Sequence, residues 1–496
     1  MKNKATLLNM ISGLLLQLFT IISGFIIPKI ILAYFGSEAN GLVSSLNQFL
    51  SYITLVEGGI SSVIIANLYE PLVNKDKEKL SSIMVTADKF YKKIGIIFIG
   101  YTVILAVVYP LVLTVKFSLA YVFALTIVLS LNLLIQYLFS LTLKTILNAD
   151  KKGYIINFTQ SIIVIFNIIF ALISVKIYPS IHILKFISGI LFIIQPIVFG
   201  NYVKKNYDIN WNAKINNSLI KERWNGFAIN IAAFIHNSTD VTILTVFTNL
   251  KTVSVYSVYG LVSSGVKQLI NACLTGIAHT VGQAYAKKDF DELNKKMDIY
   301  EYIVFVLVFF FFTVSALLIT PFVLIYTKDI TDTNYNMPLF GILLIISEVL
   351  YLVKLPHLNL AYSANKFKEI TAPAFIEALL NIIISIIFVG KYGLIGVTIG
   401  TIIGMTYRMM FHVYYTSKIV PGRVQSIFYK KLSLFTITAV VGFCICNFLV
   451  PITEITVLNW LGHAVMYSII VGILFGIISI TFFKKELKFF VRYLKR

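Results

Sequence analysis

The sequence predicts an all-α polytopic membrane protein of about fourteen transmembrane helices. Two six-helix lobes in parallel repeat are expected around a central cavity, with two extra helices at the C-terminus. Three observations carry that expectation. Apolar runs of eighteen or more residues recur along all 496 positions, where 58% of residues are hydrophobic and 13% charged. Lysine and arginine gather on alternate connecting segments. A five-residue word that opens the second long apolar run returns at the start of the eighth. About 20 apolar residues rising 1.5 Å each cross a hydrocarbon core ~30 Å thick, so each such run is a candidate crossing.

The candidate spans cover residues 7–34, 41–69, 94–115, 118–146, 154–176, 183–203, 224–249, 252–285, 301–326, 337–361, 371–390, 393–415, 431–450 and 457–482. Span 1 follows Lys2 and Lys4 and stays apolar to Tyr34, too long for a signal-peptide core and without a small-residue cleavage site, so it is expected to be retained. Span 2 carries Glu57-Gly58-Gly59 near its middle. A carboxylate at that depth is costly, and paired glycines loosen a helix and admit a neighbouring backbone. With the N-terminus in the cytoplasm, and with Lys144, Lys176, Lys185 and Lys431 at span ends counted with the segments they adjoin, 32 of the 42 lysines and arginines fall on inner segments, 6 on outer ones and 4 within spans. That bias places both termini in the cytoplasm and makes the net charge of +20 an orientation signal facing anionic lipid, not a nucleic-acid footprint.

The repeat is read from two echoes. Gly41-Leu42-Val43-Ser44-Ser45 returns as Gly260-Leu261-Val262-Ser263-Ser264, and Ala149-Asp150-Lys151-Lys152 after span 4 is matched by Ala364-Asn365-Lys366-Phe367-Lys368 after span 10. Mixed-charge segments, Lys75 to Lys79 and Ala286 to Glu292, follow spans 2 and 8 and read as helical extensions into water. The expected organisation is an N-terminal lobe over 1–204, a cytoplasmic linker over 205–223, a C-terminal lobe over 224–416, helices 13 and 14 over 431–482, and a basic cytoplasmic tail over 483–496. An even number of helices per half gives parallel repeats, which in transporters enclose a substrate site.

Charges inside the spans are the candidate functional residues. Lys29, Lys267, Lys354 and Arg408 stand against Glu57, Asp240, Glu348 and Glu377, a formally neutral set that fits pairing in a hydrated cavity. Lys29 and Asp240 lie in outer parts of their helices, where snorkelling or capping would also explain them. Glu377 lies one to two turns from the inner end of span 11, where reaching water would also explain it. Glu57, Lys267 and Glu348 are near mid-span. Lys267, about fifteen residues into span 8, is the expected attractor of an anionic group, with Glu57 or Asp240 as its partner at rest. His236 and Asp240 share a helix face at i, i+4, as do Arg408 and His412. Carboxylate beside imidazole suits a proton relay, a cation site or a structural hydrogen bond, so Asp240, His236 and Glu57 are the candidates for ion coupling.

No Cys/His metal cluster, phosphate-cradling glycine loop or nucleophile triad is visible, and no cofactor or enzymatic activity is expected. Cys273, Cys444 and Cys446 fall in apolar helices and are expected to be buried packing residues. The outer loops are short, which argues against a membrane glycosyltransferase or polymerase.

Several stretches resemble the polysaccharide transporter family of Wzx-type oligosaccharide flippases. They are Glu57-Gly58-Gly59-Ile60 with Leu68-Tyr69-Glu70-Pro71, Asn237-Ser238-Thr239-Asp240, Val253 to Tyr259, Glu377-Ala378-Leu379-Leu380-Asn381, and Gly396 to Thr401. The resemblance implies the fold of the multidrug/oligosaccharidyl-lipid/polysaccharide exporter superfamily, residence in the bacterial plasma membrane, and a polyprenyl-diphosphate-linked oligosaccharide as cargo for capsule, exopolysaccharide or O-antigen. Polysaccharide polymerase and glycosyltransferases would be its partners, besides membrane lipid. Helices 1, 2, 7 and 8 line the cavity in that fold, which implies Lys29, Glu57, Asp240 and Lys267 as cavity residues. A cavity lysine is the physical partner for a diphosphate. The first span lacks the arginines of a lipid II flippase and the acid of drug exporters. A lipid II flippase and a cation-coupled exporter of small amphipathic molecules are the alternatives.

Overall fold

The computed structural model of the protein describes residues 2–57, 59–113, 116–215 and 224–494, with side chains throughout except at 2–4, 224–230, 232–233, 236–237, 275–279 and 490–494. Among the described residues the chain is helical and has no strand. It divides into two compact units, Met1–Phe234 with Asn249–Ser254, and Ile235–Thr248 with Val255–Arg496.

The first unit opens with α1, Lys2–Ser51, which is interrupted at Gly36 (φ 81°, ψ 178°). That backbone region is essentially restricted to glycine, so the chain turns there between spans 1 and 2. The second span is itself broken: α1 ends at Ser51, α2 covers Thr54–Glu57, and α3, Ile60–Asn74, starts from Gly59 in the left-handed region (φ 78°). The Glu57-Gly58-Gly59 motif thus lies at a helix break, with Gly58 outside the described residues. Next come α4, Lys77–Val112, capped by the Asp76 carboxylate on the Lys79 amide, and α5, Leu119–Ile135, capped by Ser118. A π turn over Gln136–Ser140 joins α5 to α6, Leu141–Ala149. The helices α7, Gly153–Ile177, α8, Ile181–Ile190, and α9, Ile194–Asn206, follow. Leu42, Leu46, Leu68, Met84, Phe98, Val122 and Phe199 are wholly buried at the centre of this unit. Gly41 allows the Leu250 backbone to approach so closely that a Cβ would lie 1.8 Å from its carbonyl oxygen.

Helix α10, Trp224–Phe247, leads from the first unit into the second, which continues with α11, Leu250–Ala286, and α12, Phe290–Tyr326. Beyond these, α13, Pro338–Val353, and α14, Leu355–Ser363, are separated at Lys354, because Pro356 supplies no amide hydrogen to continue the helix. Then come α15, Phe367–Tyr392, α16, Leu394–Ile419, α17, Gln425–Leu449, α18, Val457–Phe482, and α19, Lys484–Leu494. An aromatic seam ties α17 and α18 to α12: Phe305 meets Phe428 (5.3 Å between centroids), and Phe435 meets both Phe305 (5.6 Å) and Phe475 (5.7 Å).

Large apolar side chains stand outward in rows, such as Ile469, Ile473, Ile477 and Ile480 on α18. A water-soluble surface does not carry such patches, whereas a lipid-facing one must. Eleven helical stretches among the described residues are long and apolar enough to cross a membrane, so the chain is a multi-pass membrane protein. The first of them, Ala5–Glu57, runs through the Gly36 turn and contains spans 1 and part of 2. The helices at spans 7 and 8 are not among the eleven; within span 7, Ser238–Phe247 is a shorter apolar stretch. The cysteine expectation holds only for Cys446. Cys273 and Cys444 are exposed on their helices, because a thiol is apolar enough to face lipid as readily as core.

Candidate functional site

In the second unit three buried charged residues, Asp240, Glu377 and Arg408, gather along one seam, where α15 and α16 lie in close contact. Small residues make that approach possible. Gly396, Gly400 and Gly404 recur every fourth position on α16 and face the backbone of α15. A Cβ on Gly400 would lie 2.2 Å from Ser385 Oγ and 2.8 Å from Asn381 O; one on Gly404 would lie 3.0 Å from Glu377 O. Small-residue stripes of this kind permit backbone-to-backbone packing in membranes.

At one level of the seam sits Asp240, from α10. Its carboxylate accepts hydrogen bonds from Thr401 Oγ1 (2.9 and 3.0 Å), Tyr256 Oη (2.9 Å) and Asn381 Nδ2 (3.4 Å). Ser385 Oγ donates to Asn381 Oδ1 (2.9 Å) and lies 3.1 Å from Val397 O, to which it also donates. The result is a buried nest of oxygen atoms around one carboxylate. Oxygen donors suit a small hard cation, and hydroxyls and the Asn381 amide can rotate to present oxygen to one. Among the described residues no three His, Cys, Asp or Glu side chains converge as for a transition metal. The His236 side chain, expected to pair with Asp240, lies outside the described residues.

One to two turns further along, Arg408 Nη1 binds the Glu377 carboxylate, and Arg408 Nε donates to His412 Nε2 (3.0 Å). The latter contact makes His412 Nε2 an acceptor. Glu377 is 1% exposed, so reaching water does not explain it: its helix turns it onto α16, where Arg408 supplies the charge that water would have screened. Lys354, at the break between α13 and α14, is 2% exposed. Its Nζ contacts Met405 Sδ (3.0 Å) and lies over the Tyr351 ring (4.4 Å from the centroid). Lys267 Nζ lies over the same ring (3.9 Å) and 2.9 Å from Glu348 Oε2. That oxygen makes no hydrogen bond, so charge rather than a directed bond holds the pair. The carboxylate at Lys267 is therefore Glu348, from its own unit, in the place expected of Glu57 or Asp240.

In the first unit, Glu57 ends α2 at the helix break. One oxygen accepts from Ser61 Oγ, which also contacts Tyr91 Oη (2.6 Å), and the other accepts from Tyr137 Oη (3.3 Å). The break turns backbone and side chain onto α4 and the π turn, so hydroxyls satisfy a carboxylate that has no cation beside it in these contacts. Lys29 is half-buried on α1, one residue past Pro28. A separate cluster escaped the sequence reading. Glu301, fully buried, binds Arg423 and Lys431 (2.9 Å to Nζ), and both bases also reach Asp298 (3.3 and 3.0 Å). Burial opposes the charge of Arg423, but Glu301 and Asp298 outweigh it and hold the guanidinium above its ordinary pKa. No regular spacing links residues 122 and 130 positions apart, so no sequence signal marks this clamp.

No protein-family model and no curated protein sequence matches the chain. Solved structures do. A structure described as the lipid II flippase MurJ in an inward closed conformation aligns over 99% of this chain and 100% of its own, with a TM-score of 0.74 at 16% identity. An inward-facing multidrug resistance MATE family transporter of the MOP superfamily aligns over 82% and 96%, with a TM-score of 0.64 at 14% identity. The eukaryotic MATE transporter AtDTX14 aligns over 87% and 99%, with a TM-score of 0.59 at 14% identity. The chain shares the fold of these solved structures.

Proposed function

We propose that the protein is a flippase that carries a polyprenyl-diphosphate-linked oligosaccharide across the bacterial plasma membrane for surface polysaccharide assembly. The observation that carries the reading is the end-to-end likeness to a solved structure described as a lipid II flippase, over 99% of this chain and 100% of that one. The family motifs in the sequence narrow the cargo to a sugar repeat unit rather than lipid II. In this reading lobes over 1–204 and 224–416 alternate access, both termini are cytoplasmic, and glycosyltransferases and a polymerase act before and after the step. Lys267 meets the diphosphate, because an ammonium that deep in the span needs a carboxylate or an anionic ligand.

The second reading, a cation-coupled exporter of small amphipathic molecules, is favoured by the oxygen nest at Asp240. The two readings share that nest: a cation bound there would drive either cargo. Deleting the gene separates them. Loss of surface polysaccharide with lipid-linked repeat units retained on the cytoplasmic leaflet supports the flippase. Unchanged polysaccharide with heightened sensitivity to cationic drugs overturns it. Within the flippase reading, Lys267→Gln is expected to abolish export at normal protein levels and Lys267→Arg to retain part of it. Full export by Lys267→Gln removes Lys267 from the cargo site.

A further inference from the structure

We propose that Lys354 is a positioning residue that takes over the Glu348 carboxylate when an anionic cargo draws Lys267 away, so that the second unit carries an exchangeable ion pair. This rests on the reading of Lys267 as the cargo-facing cation.

The charges around Tyr351 do not balance one to one. Arg408 pairs with Glu377 and Lys267 with Glu348, so Lys354 stands as a third cation beside two paired carboxylates. Lys354 has no carboxylate within 4.0 Å among the described residues, although it is almost wholly buried. Its two neighbours, a thioether and an aromatic face, solvate an ammonium weakly. The Tyr351 ring holds both ammoniums against it, at 3.9 and 4.4 Å, so they stand within about 8 Å of each other. The present holder of Glu348 is loosely tied. The Lys267–Glu348 contact lies off the hydrogen-bond direction, and the two side chains keep 19% and 16% of their exposure.

A diphosphate arriving at Lys267 competes with Glu348 for the ammonium. Without a replacement, a carboxylate would be stranded inside the unit, at a cost charged against cargo binding. Lys354 removes that cost. Its four-carbon stem lets Nζ move while the backbone stays fixed at the α13–α14 break, and the face of Tyr351 gives the ammonium a favourable surface to cross. When cargo leaves, Lys267 recovers Glu348 and Lys354 returns to Met405. Total charge in the unit is unchanged in either arrangement; only the partner of Glu348 differs.

The test uses the full chain in lipid nanodiscs and, as probe, a polyprenyl diphosphate carrying no sugar. Affinity is measured for the unaltered chain, Lys354→Met, Glu348→Gln and the double variant. Exchange predicts that Lys354→Met weakens binding by roughly tenfold or more, while the same substitution beside Glu348→Gln changes it by less than about threefold, since no carboxylate is then stranded. An equal loss in both backgrounds overturns the proposal, because Lys354 would then contact cargo or merely support the fold. Should Lys354→Met fail to accumulate, the unaltered chain is treated with a hydrophobic carbodiimide, which joins Glu348 to an adjacent amine as an amide. Exchange predicts a Glu348–Lys267 linkage without the probe and a Glu348–Lys354 linkage with it. The Lys267 linkage in both conditions overturns the proposal. Failure of the unaltered chain to bind the probe overturns the cargo reading instead.

Discussion

Replacing Gly400 by alanine inserts a methyl group into the tightest part of the α15–α16 seam. The new carbon would lie 2.2 Å from Ser385 Oγ, 2.8 Å from Asn381 O and 2.9 Å from Ser385 N. A hydroxyl can rotate away, but the other two atoms are backbone, so the helices themselves must part. Overpacking of this kind costs about 1–3 kcal/mol. Alanine returns about 0.5–1 kcal/mol as the better helix former. Gly390 on α15, where a Cβ would meet nothing within 4 Å, is the control, since Gly390→Ala collects the helix gain alone. The helix contribution cancels between the two variants, leaving a gap of about 1–3 kcal/mol with Gly400→Ala the less stable. Equilibrium unfolding of the purified variants in mixed detergent micelles measures that gap. The displacement would also pull Thr401 and Asn381 apart around Asp240, so any cation-dependent behaviour should weaken in step. Equal stability of the two variants, within 0.5 kcal/mol by the same assay, would refute close backbone packing as the device that builds the site.

Glu301→Gln removes the fully buried carboxylate between Arg423 and Lys431 and leaves them only Asp298, which is partly exposed. A loss of about 3–5 kcal/mol is expected in the same unfolding assay, far beyond what Asp208→Asn should cost at the exposed Lys77–Asp208 pair. If the Asp240 nest takes a hard cation, sodium should raise the melting temperature of the unaltered chain, and the increment should vanish in both Asp240→Asn and Thr401→Val. Potassium raising it equally would argue for general ionic strength. Single cysteines at Asn210 and Lys488, in a cysteine-free chain, are expected to resist an impermeant maleimide in intact cells and react after permeabilisation. Labelling of both in intact cells would invert the topology.

The sequence was most informative where a property is local. Apolar runs marked the helices, and Glu57-Gly58-Gly59 marked the break before α3, because span length and glycine flexibility act within a few residues. The Arg408–His412 spacing of four likewise survives as a hydrogen bond. What it could not show was partnership across helices. A helix that is apolar on nearly every side does not reveal which way it is rotated, so nothing in the chain announced that Lys267 would meet Glu348 rather than Glu57 or Asp240. For the same reason Glu377 could be read as paired or as reaching water: depth along a helix was legible, direction was not. Lys354 was visible as an intramembrane cation, yet its interest lies in the lack of a nearby carboxylate, which only three-dimensional contacts reveal.

Gly36 decides more than a local turn. Were the 50 residues of α1 continuous, they would form a rod about 75 Å long, more than twice the depth of a bilayer's hydrocarbon core. Such a rod could cross only once. One residue in a backbone region closed to other side chains breaks that rod at Gly36 instead. A single missing side chain thus lets one 50-residue helical stretch change direction part-way along.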